Sequence, residues 1–464
     1  MIATSCMQRG QTLPLALLLV AAAAVSWVYL YNGGHIVAAR TRLTHAADAV
    51  AYSGALIQAR ALNMQAYINR AQVAHQVAMA HLVTLSAWQQ AGTAQAGQAA
   101  RGNPPASLIA MLFGPAYGSA YASSRRAGAL GGLAGDLERA YDGHDRSVRR
   151  ILQASARTLI DTLPAVRERA MRAVLSENYR DAGQALPAAM PRLDWLGDGL
   201  PGRLAMAAPS QAELPDLTLQ AAGRYGFLAP RDATARNAWP VSHRCPQLRH
   251  ELRRRGATTL DANGRWQARD TLSFHALRSN RWIGCYYREY PMGWGDTAAG
   301  GGGAQEAPGV DAPDDFSAQD FWRWVRQYTD WDIQSPGSGN ALARARAASA
   351  RRHWAGRGFP GYATLTGPAA SPLRLAIALR MPAAALQTSD AAGTVRVAGR
   401  RFGFRALAPG EYVHAASAAE TFFARPQPRA DGRDEMAGLF HPYWQARLAA
   451  LLPHERRIAG GLRD

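Results

Sequence analysis

The sequence predicts an α+β protein: a single N-terminal transmembrane helix continues into a long α-helical hairpin, and a mixed α/β distal domain follows. Three observations carry this reading. Thr12 to Tyr31 is apolar without a charge, Leu43 to Leu85 repeats small and apolar residues at alternating steps of four and three, and the composition changes after Pro187. The boundaries expected are a short cytoplasmic N-terminus at 1–11, an anchor at 12–32, a helical stalk at 33–187 and a distal domain at 188–464, with a Gly/Pro-rich loop at 291–313.

The anchor comes first. About 20 residues rising ~1.5 Å each cover about 30 Å, the thickness of a bilayer's hydrocarbon layer. Trp27, Tyr29 and Tyr31 gather at its distal end, and amphipathic rings favour the membrane–water interface, so they are the expected membrane-interface residues. A cleavable signal peptide is the competing reading, because Ala22-Ala23-Ala24 supplies small residues of the kind a signal peptidase accepts. Against it stand a single arginine, Arg9, before the run, and the helical pattern that resumes directly after it. Arg9 on one side and Arg40 and Arg42 on the other leave the orientation undecided by charge.

The stalk follows. The seam reads Leu43, Ala47, Val50, Gly54, Ile57, Ala61, Met64, Ile68, Ala71, His75, Ala78, Leu82 and Leu85. A heptad repeat held this long calls for a partner helix, and small residues allow close approach. The expected helix-packing interface is Leu43, Ala47, Asp48, Val50, Gly54, Ile57, Ala61, Met64 and Ile68, with Asp48 its early charge. Asn103-Pro104-Pro105, Gly114-Pro115 and the glycines from Gly128 to Gly135 break the chain. Leu137, Tyr141, His144, Val148, Ile151, Ser155 and Leu159 then recur at helical spacing, predicting a second antiparallel arm running to about Ala182. His75 and His144 both fall on seam positions, where a packing role is expected rather than metal ligation.

Beyond Pro187, short alternating runs predict strands at Gly264–His275, Leu373–Arg380, Thr394–Val397, Arg401–Arg405 and Glu411–Val413. Helices are expected at Asp320–Tyr328 and Ala341–His353, with a closing helix at Pro442–Leu452. Cys245 and Cys285 form a candidate disulfide, as expected of a pair in an exported domain; two unpaired buried thiols are the alternative.

Net charge is +18, and all 52 basic residues are arginine. A basic exported domain attracts anionic lipid, acidic polysaccharide or acidic proteins. Nucleic acid is not expected, because no binding motif is legible and Arg249, Arg253, Arg254 and Arg255 read as a solvated helical face. No metalloprotease helix, nucleophile elbow, Walker loop or paired C-x-x-C occurs, so no catalytic, cofactor-binding or metal residue is assigned and no enzyme is expected. Asp311, Asp314, Asp315 and Asp320 lack the terminal glutamate of a calcium loop. The aromatic clusters Trp282, Tyr286, Tyr287, Tyr290, Trp294 and Phe321, Trp322, Trp324, Tyr328, Trp331 read as packing or interface. An envelope enzyme or glycan-binding module using Asp270 or Glu289 beside such rings is the rival reading.

Arg9-Gly10-Gln11, the apolar run, Gly33 and Leu43-Thr44-His45-Ala46-Ala47-Asp48-Ala49-Val50-Ala51 resemble the N-terminal module of the TadG-like (TadE/TadG-like) family of Flp, or tight-adherence, pilus assembly. The likeness covers about residues 8–55, and Phe440 to Leu448 is similar to the end of longer relatives. The resemblance implies a single-pass protein of the bacterial inner membrane, with its distal domain in the periplasm or at the cell surface. Its implied partners are other pilus-assembly or pilin-like subunits, and the seam also admits a homo-oligomer. The metal-adhesion motif of some members is not legible here, and Leu15 stands where a pilin carries glutamate, so neither metal-dependent adhesion nor processing to a major pilin is expected.

Overall fold

The computed structural model describes residues 12–125, 133–180, 190–208, 213–261, 264–281, 284–300, 339–367, 371–382, 385–386 and 412–461. The protein is α+β, and the chain divides into two compact units that interleave in sequence. Unit 1 takes residues 1–67, 157–205 and 363–464, and unit 2 takes 68–156 and 206–362. Residues 33–187, expected as a stalk, are therefore shared between the units, as are those of 188–464.

The first element, α1 (Thr12–Arg101), is a helix of 90 residues. Alanine-rich sequence favours it, and Pro14 is tolerated because it lies in the first turn. It stops where Gly102 adopts φ +67°, a conformation that glycine enters without steric cost, followed by Asn103 and Pro104.

In unit 1, α1 packs on a four-stranded antiparallel sheet. Its order is β1 (Arg192–Asp198), β9 (Leu373–Pro382), β10 (Tyr412–Phe423) and β11 (Trp444–Ala449). Alternation along β9 sends Leu375, Ile377, Leu379 and Met381 into one core with Leu43, Ala47, Val50, Ala51 and Ala55 of α1. Met171, Leu175 and Tyr179 of α5 (Ala154–Asn178) join that core. The opposite face sends Ala376 and Ala378 against Ala459 of α8 (Pro453–Gly461). Arg374 binds Glu455 of α8 by two hydrogen bonds of 2.7 and 2.8 Å. The Pro442–Leu452 region is thus corrected from helix to strand: residues 444–449 pair with β10 in a regular antiparallel register, and the closing helix begins at Pro453.

The seam on α1 is also revised. Leu43, Ala47, Val50, Gly54, Ala61 and Ile68 are buried, Asp48 and Ile57 are half-buried, and Met64 is 52% exposed. A straight helix drifts by about 20° per heptad against a 3.5 repeat. The buried stripe accordingly moves to Gln58, Leu62, Gln65, Asn69 and Gln72, away from Met64. The second predicted run is divided between units. α4 (Leu133–Arg146) buries Leu137 and Tyr141, and a π-helical turn at Ser147–Gln153 then rotates the face, so that Ile151 is exposed and Ala156, Leu163 and Met171 are buried instead.

Unit 2 contains a five-stranded sheet of order β3 (Ala233–Arg236), β4 (Glu251–Leu260), β5 (Trp266–Asn280), β6 (Gly284–Ala299) and β7 (Arg352–Trp354). Pairing is antiparallel except for β6 with β7. Two short helices, α2 (Ala106–Phe113) and α3 (Pro115–Ser123), pack near its Phe274 and Met292. Where the chain passes from one unit's residues to the other's, β2 (Leu204–Ala207) pairs with β8 (Tyr362–Leu365) as a short ribbon. Unit 2 is completed by α6 (Glu213–Ala222) and α7 (Ala341–Ser349).

The expected loop at 291–313 is corrected over 291–299, which belong to β6. Pro291 lies at a register shift opposite Leu272/Ser273, where a missing N–H is tolerated. Gly293 and Gly295, two apart and so on one face, let α1 lie against the strand: a Cβ on Gly293 would stand 2.9 Å from the Ala91 carbonyl, and one on Gly295 2.8 Å from the Ala91 nitrogen. The glycines that suggested a loop serve close helix–sheet packing. Arg253, Arg254 and Arg255 of the arginine cluster likewise lie on a strand, β4, with Arg249 just before it, and Arg253 is buried and paired to Glu251 at 2.6 Å. The predicted elements at 320–328, 394–397 and 401–405, the aspartates 311–320, the aromatic cluster 321–331 and Trp282 lie outside the described residues.

Gly54 has Leu375 Cδ2 at 2.5 Å and Met171 Sδ at 2.8 Å from the place a Cβ would occupy. Replacing Gly54 with Leu is expected to destabilise unit 1 by about 3 kcal/mol through overpacking. A thermal melt lowered by several degrees would show it, and an unchanged melt would contradict the packing described.

Candidate functional site

Unit 2 carries an open groove of about 880 Å³. Ala74, Val77, Ala78, His81 and Trp88 of α1 line one side, Tyr225 to Phe227 and Arg231 to Ala233 line another, and Arg254 of β4 completes it. Helical spacing puts the α1 residues on one face, three, four and seven apart. The rings are arranged as steps: Tyr225 stacks on Phe227 at 6.2 Å and 24°, and His81 stacks on Phe227 at 5.1 Å and 25°. Tyr225 is 57% exposed and Trp88 43% exposed.

A buried ion pair fixes the floor. Arg231 donates to Asp270 through Nε at 2.9 Å and Nη2 at 2.8 Å, to Thr258 Oγ1 at 3.1 Å, and to the Phe227 carbonyl. Thr258 in turn meets Thr84 of α1 at 2.8 Å. The bidentate geometry is the strong form of the pair. Burial still pushes the Asp270 carboxyl above its ordinary range, with Arg231 pulling the other way and the Trp88 indole N–H also donating to it. Arg231 and Arg254 both lie over the Trp88 ring, at 5.9 and 5.7 Å from its centroid. Gly256 faces Asp270 across β4 and β5, and a Cβ there would strike the Asp270 carboxylate and stand 3.1 Å from Arg231 Nε. The groove's charged floor therefore requires glycine at 256.

The two guanidiniums differ. Arg231 is consumed by its four acceptors, whereas Arg254 is exposed and acts on Asp270 only through its charge. Asp232 is exposed at the rim, with one carboxylate oxygen accepting the Gly256 N–H at 3.1 Å. The sequence signals for this groove were weak, because its aromatic residues come from two segments more than a hundred residues apart.

Other predicted residues take their places elsewhere. Asp48 accepts a 2.6 Å hydrogen bond from Ser417 of β10. Cys245 and Cys285 are joined in a disulfide with Cα atoms 6.1 Å apart. His75 and His144 meet Nδ1 to Nδ1 at 2.8 Å; burial, then the neighbouring His144, holds His75 below its ordinary range. Among the described residues no cluster of three metal-ligating side chains occurs.

Asp270 and Glu289, the acids of the rival reading, each close on partners of their own. Glu289 accepts the Leu342 and Ala343 N–H groups that open α7, at 2.8 and 3.0 Å, together with Ser273 Oγ at 2.7 Å. His275 Nε2 meets Asn340 Oδ1 at 3.0 Å, and burial, with Arg253 nearby, pushes its pKa down to about 3.

Two outcomes are expected. Gly256→Ala should destabilise unit 2 by about 2 kcal/mol by displacing the Asp270–Arg231 pair, read in a urea melt. Because the folded pKa of His275 lies below its ordinary 6.5, its contribution is complete above that value and is lost as pH falls toward 3. Melts of His275→Gln should therefore depend less steeply on pH between 6.5 and 4.5 than those of the native chain; parallel curves would contradict the assignment. No protein-family model, curated protein or solved structure matches this chain.

Proposed function

We propose that this protein is a single-pass, membrane-anchored structural or assembly component of a Flp, or tight-adherence, pilus or its secretion apparatus, with its basic folded part outside the cytoplasm. The observation that carries the reading is α1 itself. It is long and apolar enough to cross a membrane, with a window of mean hydropathy 2.2 and no part of that window buried by the rest of the chain. Leu13, Leu15, Leu17, Leu18 and Leu19 are all exposed, as are Trp27, Tyr29 and Tyr31, at 74%, 63% and 49%. An unpaired helix face of this kind is stable in lipid and costly in water.

The same helix passes without interruption into folded protein, so in this reading anchor and scaffold are one rod, and α1 and α5 act as the arms of a hairpin. Arg42 of α1 donates to the Asn178 carbonyl at the end of α5 at 2.9 Å, and Gln58 accepts from Arg167 at 2.9 Å, which supports an antiparallel arrangement. The disulfide supports an oxidising compartment for unit 2. The L-x-x-A-A-D stretch beginning at Leu43 supports the pilus class, and its buried members hold the protein's own sheet, leaving the exposed Tyr52, Leu56, Met64 and Tyr67 for other subunits.

The full chain should remain in the membrane pellet after alkaline carbonate washing, and a variant lacking residues 12–31 should be released. Thiol labelling of the unreduced protein should leave Cys245 and Cys285 unmodified. Photo-crosslinkers at Tyr52 and Met64 should capture inner-membrane pilus subunits. Release of the full chain by carbonate, or reactive thiols at both positions, would overturn the anchored, exported reading; crosslinks confined to unrelated proteins would overturn the pilus class.

A further inference from the structure

We propose that the groove between α1 and the Tyr225–Ala233 segment of unit 2 binds an anionic saccharide, a pyranose chain bearing carboxylate or phosphate groups. Three features of the groove select this class. The exposed rings of Tyr225 and His81, each stacked on the half-buried Phe227, match the flat C–H faces of pyranose rings, and the groove is open to solvent. Its volume of about 880 Å³ falls within the ~300–1,000 Å³ of small-ligand sites. Its polar groups divide the work: the exposed guanidinium of Arg254 engages acid groups, and at the rim the carboxylate of Asp232 accepts from sugar hydroxyls.

The exposed guanidinium sets where an acid group of the ligand would sit. Arg231 is paired with Asp270 beneath the groove, so Arg254, positioned beside Trp88 by the ring contact at 5.7 Å, is the exposed cation of the lining, and Asp232 at the rim is its exposed carboxylate. An anion there gains a charge-assisted hydrogen bond without displacing an existing partner. The net charge of +18 adds long-range attraction of the same sign. An acidic peptide would satisfy Arg254 but leave the aromatic steps unused. A nucleotide would stack, yet the disulfide in this same unit points to a compartment outside the cytoplasm. The floor is preorganised, since Trp88 is held at once by Asp270 at its N–H and by two guanidiniums over its ring.

The test uses the full chain in neutral nanodiscs, with trigalacturonate as probe and calorimetric titration as readout. A neutral trisaccharide, maltotriose, and a hexaglutamate peptide serve as comparison ligands. Trigalacturonate is expected to bind at least 10-fold more tightly than either. Tyr225→Ala and Arg254→Ala are each expected to weaken it at least 10-fold, about 1.4 kcal/mol. Both side chains are exposed and lie on separate segments, and Tyr225→Leu, which keeps the apolar bulk without the aromatic face, gives an independent check on stacking. Tyr225→Ala is the decisive variant, because it leaves the charge unchanged and so separates the groove from general attraction of polyanions to a basic protein. Undetectable trigalacturonate binding, binding unaltered by Tyr225→Ala, or equal affinity for hexaglutamate would each overturn the proposal, and none would bear on whether α1 anchors the chain.

Discussion

The fold depends on the approach of sheets to one alanine- and glycine-rich helix. A helix carrying large side chains holds its neighbours about 8–10 Å from its axis. Along α1 the facing positions in unit 1 are Ala47, Ala51, Gly54 and Ala55, so Leu375, Ile377 and Leu379 of β9 supply the bulk from the other side. In unit 2 the sheet also becomes small, at Gly293 and Gly295, where α1 carries Ala87 and Ala91. Complementarity is thus achieved differently in each unit, large against small in the first and small against small in the second. Both arrangements tolerate substitution poorly, because interiors close-packed to this degree have no slack to absorb a methylene.

The same helix buries amide side chains in its middle portion: Gln58, Gln65, Asn69, Gln72 and Gln76 are all inaccessible. Gln58 accepts from Arg167, which also binds Asp198, and Gln72 donates to the Gly361 carbonyl at 3.4 Å. The bonds of Gln58 and Gln72 specify register, since a helix slipped by one position would break both, while Gln58 Nε2, Gln72 Oε1 and Gln76 Nε2 are buried without a partner among the described residues. The apolar contacts of a small-residue stripe discriminate register weakly by themselves, so the polar groups supply what the alanines lack.

Much of this architecture was legible in residue patterns, and the failures have physical causes. The unbroken apolar and alanine-rich run predicted a continuous helix, and Leu373 to Arg380 predicted β9, because alternation with β-branched and apolar residues reports a sheet with a defined inner face. The heptad reading of α1 placed Met64 on the seam because stepping by 3.5 accumulates error against 3.6, and it named a second helix as partner where the chain uses its own sheet as well. Gly293 and Gly295 imitated a loop because glycine signals both a turn and a close approach, and only the tertiary neighbour decides which. The π turn at 147–153 has no signature in the sequence, yet it moved every later helical position to another face. The groove was illegible for a related reason: Trp88, Tyr225 and Arg254 are separated by more than a hundred residues or lie on different element types, and no spacing rule joins them.

The discontinuity of unit 1 bears on the order of events during synthesis. Its earliest segment emerges first, but strands β9, β10 and β11, which cover the alanine stripe of α1, come from residues 373–449. Until residues 373–449 have been made, that stripe has no native cover, whereas the 206–362 stretch that completes the other unit has already appeared. A chain made N-terminus first would therefore hold an uncovered helical surface while its other unit matures, an interval in which shielding by another protein would act.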